Sequence, residues 1–374
     1  MTNIFDYLKW RGDLTLKQAE FNEVDSLILC ELSYINFEGI VSSKLSETIT
    51  IEEAGRKFRQ MDKSDERFIT GFLIPNQIID LLEAVSESVR FKDMLLCGYV
   101  NRVDLEQEKQ FSAVTVRLDE QNIFVAYRGT DDTIVGWKED FNMVFATPVP
   151  AQLEAVNYLK FVGENTQRDL LVGGHSKGGN LAVYASAYVE KSIQDRIINV
   201  YNFDGPGFNE DIILSEGFKD IWERVFTFVP QSSIIGMLLE HEEEYIVVNS
   251  KQIGIFQHDP FSWEVMGSRL VYTNEVDKYS KFVDRTLKDW ISSMDEQQKE
   301  LFIDTLYELL EATQSKTLTD LSNNTLHKMG IMFKNFKHID ESNKRAMLKT
   351  FQLLFKSIKE NLMVSKDKQQ QVIE

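Results

Sequence analysis

Leu170-Leu171-Val172-Gly173-Gly174-His175-Ser176-Lys177-Gly178-Gly179-Asn180-Leu181-Ala182-Val183-Tyr184-Ala185 is the stretch on which the fold turns. A short apolar run suited to a buried strand enters a glycine-rich turn, and the turn opens into a run predicted to be helical over residues 180–190. A serine at the apex of such a strand–turn–helix sits in a strained backbone, so the residues two positions away on either side must lack bulky side chains. Gly174 and Gly178 meet that need. The N–H groups that open the helix point toward the serine and favour negative charge developing there. A structural turn or a phosphate cradle would share the glycines, but no GKS/T or GxGxxG spacing accompanies them.

Outward from this stretch, residues 113–117 and 123–127 flank the polar turn Asp119-Glu120-Gln121-Asn122 and predict a hairpin. Further strands are expected at 197–203, 225–229 and 245–248, with a helix at 151–162. This alternation from about residue 96 predicts a mostly parallel sheet of the α/β class. Upstream, Val24, Leu27, Ile28 and Leu32 recur at helical spacing behind Asn22, a capping residue. Residues 38–88 yield only helical fragments. Beyond about residue 277, Phe302, Leu306, Leu309 and Leu310 share one helical face, as do Met347, Phe351, Leu354, Phe355 and Ile358. The expected starts are Ser293, with Glu296 three residues on, and Asp340. The expected organisation is an N-terminal helical segment packed on the core (1–95), an α/β core (96–276) and a C-terminal helical subdomain (277–374).

The chain has 374 residues, 43% of them hydrophobic, enough for one large core and a smaller accessory part. A net charge of −18 without a visible concentration of Lys and Arg argues against nucleic acid and anionic membrane surfaces as general partners. The first residues carry scattered charges rather than an apolar run, so no secretory signal is read, and no run is long enough to span a bilayer. The two cysteines, Cys30 and Cys97, lie in apolar stretches without CxxC or Cys/His metal spacing. They read as buried free thiols of a reducing compartment, the cytoplasm, and no metal or organic cofactor is expected.

A second constellation lies at Tyr127-Arg128-Gly129-Thr130, at the end of an earlier strand. Acyl transfer needs two backbone donors aimed at an oxyanion, one from the residue after the nucleophile and one from a loop after an earlier strand. The N–H groups of Lys177 and Thr130 fit those roles. The segment Val125-Ala126-Tyr127-Arg128-Gly129-Thr130, with Trp137 and Asp140, followed by Gly174-His175-Ser176-Lys177-Gly178-Gly179-Asn180-Leu181-Ala182, resembles the class 3 lipases, α/β-hydrolases acting on esters of acylglycerols. The chain is more closely similar to an uncharacterised bacterial family of class 3 lipase-like α/β-hydrolases. That similarity includes Trp10-Arg11-Gly12-Asp13-Leu14, Phe21-Asn22-Glu23-Val24-Asp25 and Gln257-His258-Asp259-Pro260-Phe261-Ser262-Trp263, and covers most of residues 1–270. The resemblance implies an α/β-hydrolase fold with a mostly parallel central sheet, Ser176 as nucleophile and Thr130 in the oxyanion hole.

Five histidines could supply a base. His175 is expected to point away from Ser176, and His327 and His338 lie in the helical C-terminal region. His241 precedes the strand at 245–248 and would emerge at its wrong end, whereas His258 follows that strand, where a triad histidine belongs. Class 3 lipases usually take their acid from the loop that here reads Pro230-Gln231-Ser232-Ser233-Ile234-Ile235-Gly236, which contains no carboxylate. One strand earlier, Phe203-Asp204-Gly205-Pro206-Gly207 places Asp204 where pancreatic-type lipases carry their acid. Ser176, Asp204 and His258 then follow the chain order of the fold. Asp259 is a poor partner for its own neighbour, and Asp140 and Trp137 read as structural.

The expected activity is hydrolysis of carboxylic esters, lipid or acyl, through a Ser176 acyl-enzyme. A thioesterase or amidase would use the same triad. The expected partner is a small-molecule or lipid ester, with room for transient membrane contact. Ile234, Ile235, Met237, Leu238 and Leu239, with the C-terminal helices, could wall or lid an acyl pocket. A non-catalytic hydrolase scaffold that binds partners through its C-terminal helices is the competing reading.

Overall fold

The structure is a computed structural model that describes residues 2–61, 77–104, 106, 108–131, 133–145, 148–237, 239, 245–317, 320–321 and 325–371. Among the described residues, eight strands form one sheet in sequence order: β1 (Ile49–Thr50), β2 (Leu95–Asp104), β3 (Lys109–Arg117), β4 (Asn122–Tyr127), β5 (Asp169–His175), β6 (Ile197–Phe203), β7 (Val225–Pro230) and β8 (Tyr245–Val248). Strands β1 to β4 pair antiparallel and β4 to β8 parallel. The expected hairpin is β3–β4, and Asp119 closes it by accepting the N–H groups of Gln121 and Asn122, each at 2.7 Å.

Among the described residues, four helices precede the hairpin: α1 (Ile4–Arg11), α2 (Glu23–Leu32), α3 (Ile51–Arg59) and α4 (Gln77–Glu87). Asn22 caps α2 as expected, accepting from Val24 and Asp25 while the Asp25 carboxylate returns to the Asn22 N–H. Buried Asp25 also pairs with Arg90 and accepts the Tyr7 hydroxyl at 2.7 Å, which ties α1 to α2. The parallel strands need crossovers. These are α5 (Ile134–Phe145) and α6 (Pro150–Glu164) before β5, α7 (Lys177–Tyr188) and α8 (Lys191–Gln194) before β6, and α9 (Glu210–Ile213) and α10 (Glu216–Ile221) before β7.

Alternation along the strands divides the core between the two sheet faces. Phe124, Ala126, Leu171, Tyr201 and Phe203 pack with the N-terminal helices, while Ile123, Val125, Leu170, Val172 and Val200 pack with α6 and α7. This mostly parallel sheet, covered by helices on both faces, is of the α/β-hydrolase type. Cys30 and Cys97 are buried and free. Among the described residues, no helix is long and apolar enough to cross a membrane.

The C-terminal part comprises α11 (Lys278–Ser292), α12 (Glu296–Glu311), α13 (Thr325–Phe336) and α14 (Glu341–Gln371). Ser293 does not start α12: it closes α11, its hydroxyl donating back to the Trp290 carbonyl at 2.6 Å. Asp295 is the cap, its carboxylate accepting Gln298 N–H at 2.8 Å. The apolar face expected on α14 is only partly used. Met347 is buried, but Phe355 is 68% exposed, because the inward side of the helix runs through Met347, Thr350 and Ser357. The helix expected at 180–190 begins earlier, at Lys177, since Ser176 itself occupies the cap position.

Candidate active site

Ser176 stands between β5 and α7 with φ 58 and ψ −133, a left-handed conformation that a non-glycine residue adopts only when its surroundings impose it. The packing explains the glycines around it. A Cβ on Gly174 would come within 2.8 Å of Gly178 Cα, and one on Gly178 within 2.9 Å of the backbone of Arg128 and Gly129. The turn is closed by Ser176 N–H donating to the Phe203 carbonyl at 2.8 Å.

Asp204 follows β6 with φ 51, again positive for a non-glycine residue, and its N–H donates to the Phe228 carbonyl at 2.8 Å. Its fully buried carboxylate lies with Oδ2 2.6 Å from His258 Nδ1. The other oxygen accepts Ser233 Oγ at 2.5 Å and Gly236 N–H at 3.2 Å. The loop after β7, which lacks a carboxylate, therefore supplies hydrogen bonds to the carboxylate of the neighbouring strand.

His258 closes a 3-10 turn, Gly254–His258, beyond β8. Gln257 holds this turn, its side chain accepting Ser232 N–H at 2.7 Å and its carbonyl accepting the Trp263 indole N–H at 2.7 Å. Asp259 is engaged elsewhere, capping the next turn through Phe261 N–H at 3.0 Å. Ser176 Oγ forms no hydrogen bond among the described residues, so the structure joins Asp204 to His258 directly but not His258 to Ser176.

Thr130 is buried at the end of the loop after β4, and its hydroxyl donates to the Asp140 carboxylate at 2.7 and 2.5 Å. Asp140, read from sequence as structural, thus contacts a candidate oxyanion residue. Burial raises the Asp140 carboxyl to about 6, with the Lys177 cation and the Thr130 bond opposing that rise. The Lys177 side chain turns inward to meet buried Glu139 at 3.0 Å and Gln110 Oε1 at 2.7 Å. Glu139 in turn accepts the N–H groups of Gln110 and Ala151. The first residue of α7 is therefore locked to β3, α5 and α6, and its N–H, at a helix start, has no partner within the helix. The Thr130 N–H likewise has no partner among the described residues. Trp137 packs beside Phe141, ring centroids 6.1 Å apart.

The His175 ring lies 4.6 Å from that of His258, a contact sequence reading did not anticipate. His241 and Leu238 lie outside the described residues. Ile234 and Ile235 are half-buried and Met237 is buried, all on the loop that also carries Ser233. Among the described residues, no cluster of His, Cys, Asp or Glu could hold a metal ion.

Residues 85–308 match the Mbeg1-like family. No match is found among curated proteins. Among solved structures, the chain is similar to the M37 lipase, with 15% identity, 57% of this chain and 68% of that one covered, and a TM-score of 0.36. It is also similar to a point mutant of MDLA from Penicillium cyclopium, with 11% identity, 68% and 87% covered, and a TM-score of 0.37. The family match spans more than half of the sequence, and the chain belongs to the lipase-like Mbeg1-like family.

Proposed function

We propose that this protein is a serine hydrolase that cleaves carboxylic esters of lipid or acyl type through an acyl-enzyme on Ser176. The observation that carries the reading is the 2.6 Å contact between the buried Asp204 carboxylate and His258 Nδ1, in a chain whose serine is held at φ 58 between strand and helix. In this reading, His258 Nε2 takes the proton of Ser176 Oγ as that oxygen attacks the ester carbon. The carbonyl electron pair moves to oxygen, which receives the N–H groups of Lys177 and Thr130. Collapse of the intermediate breaks the bond to the alkoxide, which leaves with the proton from His258. Water then repeats the sequence and frees the acid. Asp204 orients the imidazole and stabilises its protonated form.

Thioesters and amides would follow the same steps, so the triad alone does not choose the leaving group. Ile253 and Phe256, 84% and 66% exposed, lie on the segment that carries His258 and favour an apolar acyl group over a polar one. The test is turnover of soluble p-nitrophenyl esters of increasing chain length. Ser176→Ala is expected to lower kcat by at least about 10³-fold. A folded wild-type protein that turns over none of these esters would leave the scaffold reading in its place.

A further inference from the structure

The N-terminal helices bring beneath the site a carboxyl group that the proposed mechanism does not use. Glu31, in the last turn of α2, is buried, and its Oε1 lies 3.1 Å from His175 Nδ1. Tyr34 Oη lies 3.4 Å from the same nitrogen and 3.3 Å from the His175 carbonyl oxygen. On the far side of the ring, His175 Nε2 lies 3.0 Å from the carbonyl oxygen of His258.

Hydrogen-bond chemistry assigns the protons. A carbonyl oxygen can only accept, so Nε2 must carry a hydrogen. Burial, with the charge of nearby His258 acting in the same direction, lowers His175 to about 3, so the ring is neutral and Nδ1 is an acceptor. An ionised Glu31 would set lone pair against lone pair at 3.1 Å. A protonated one supplies Nδ1 with a donor closer than the Tyr34 hydroxyl, whose single proton is shared between Nδ1 at 3.4 Å and the His175 carbonyl at 3.3 Å, and burial raises Glu31 to about 8. As a carboxylate, buried Glu31 Oε1 has no hydrogen-bond partner among the described residues, although it lies 3.1 Å from His175 Nδ1.

We infer that Glu31 and His175 hold one buried proton between them and act as positioning residues that fix the main chain of His258. The order is Glu31 O–H to His175 Nδ1, then His175 Nε2–H to the carbonyl of His258, resting on the reading of His258 as the base. Because His175 adjoins Ser176 in the chain, the same pair ties the nucleophile's strand to the base's turn. Deprotonating Glu31 would leave an uncompensated charge. The groups that face the pair are Cys30 and Tyr34 from the α2 side, His258 and Asp259 from beyond β8, and Asp204 from the end of β6. Among the described residues, the fixed cation near these groups is Arg128, which faces Tyr34 and is paired with Asp131 at 2.9 Å.

Two measurements test this. In ring-¹⁵N-histidine NMR at neutral pH, His175 is expected as the neutral Nε2–H tautomer; an Nδ1–H tautomer would overturn the inference. In kinetics on a soluble ester, wild-type kcat/KM is expected to fall above about pH 8. Glu31→Gln, which keeps an N–H donor but cannot titrate, should retain activity within about threefold and lose that alkaline fall. Glu31→Leu should lower kcat roughly tenfold to a hundredfold with KM little changed, through misplacement of the base. A Glu31→Gln profile identical to wild type, or unchanged kcat in Glu31→Leu, would overturn it. If the wild type shows no esterase activity, the hydrolase reading fails by itself, and amide hydrogen exchange of residues 254–259 decides the clamp. Faster exchange in Glu31→Leu supports it and unchanged exchange refutes it.

Discussion

Asp204 and Ser233 sit on loops after adjacent parallel strands, so a carboxylate on one loop and a hydroxyl on the other meet at one point. The 2.5 Å Ser233–Asp204 hydrogen bond is that meeting. Replacing Asp204 by Asn would keep the shape but favour the wrong imidazole tautomer, and kcat is expected to fall by about 10⁴-fold. Ser233→Ala removes one of two donors to the outer oxygen and should cost only about tenfold or less. Measured kcat values that reverse this order would remove Asp204 from the triad. Asp140 makes a separate claim. Its folded pKa, about 6, is raised above the ordinary 3.8, so its favourable contribution is complete below about 4 and is lost as pH rises through about 6. Thermal melts of wild type and Asp140→Asn should therefore show the wild type losing ground to the variant across that interval. The meeting of Asp204 with His258 was legible because each follows an apolar run that reads as a strand, and strand ends of one polarity converge. Glu31 and the role of Asp140 were not, because their partners are reached only through helix packing, which no local pattern encodes.

At the scale of elements, the elbow was legible in full because its constraint is steric and local. Gly178 has no space for a side chain against Arg128 and Gly129, so Gly178→Ala should destabilise the fold by at least about 2 kcal/mol, read from chemical denaturation. Retained stability in that variant would mean that the turn is not strained as described. The N-cap of α2 was equally plain, since Asn22 and Asp25 satisfy each other within one turn. The start of α12 was not: Ser293 and Asp295 are both capping residues, and the length of α11 decides between them. Helices α3 and α4 were obscure as well. Only helical fragments were read there, although each helix buries an apolar face at helical spacing, Ile51, Ala54 and Phe58 in α3 and Ile78, Leu81, Leu82 and Val85 in α4.

For the whole molecule, the C-terminal helices are more than an appendage. Ile134 N–H donates to the Lys316 carbonyl at 3.0 Å, Lys138 meets Asp304 at 3.1 Å, and Phe141 packs with Trp290 and Phe302, so α12 and its neighbours brace the helix that carries Asp140. On the other side, Ser280 Oγ donates to the Ser233 carbonyl at 2.5 Å, and Ser232 donates to Asp277. The helix that carries Asp140 and the loop that carries Ser233 are therefore both held by the C-terminal helical part of the chain. Trp290→Ala should cost about 3–5 kcal/mol in stability and also slow ester turnover, although Trp290 touches no candidate catalytic residue. Unchanged turnover in the folded variant would show that the bracing has no bearing on the site. The central claim is the reactivity of Ser176. Intact-mass analysis after treatment with a fluorophosphonate probe is its most direct measurement. One adduct per folded chain is expected, mapped to Ser176, absent in Ser176→Ala and formed far more slowly in Asp204→Asn; folded wild-type protein that remains unlabelled, or labels equally without Ser176, would contradict it.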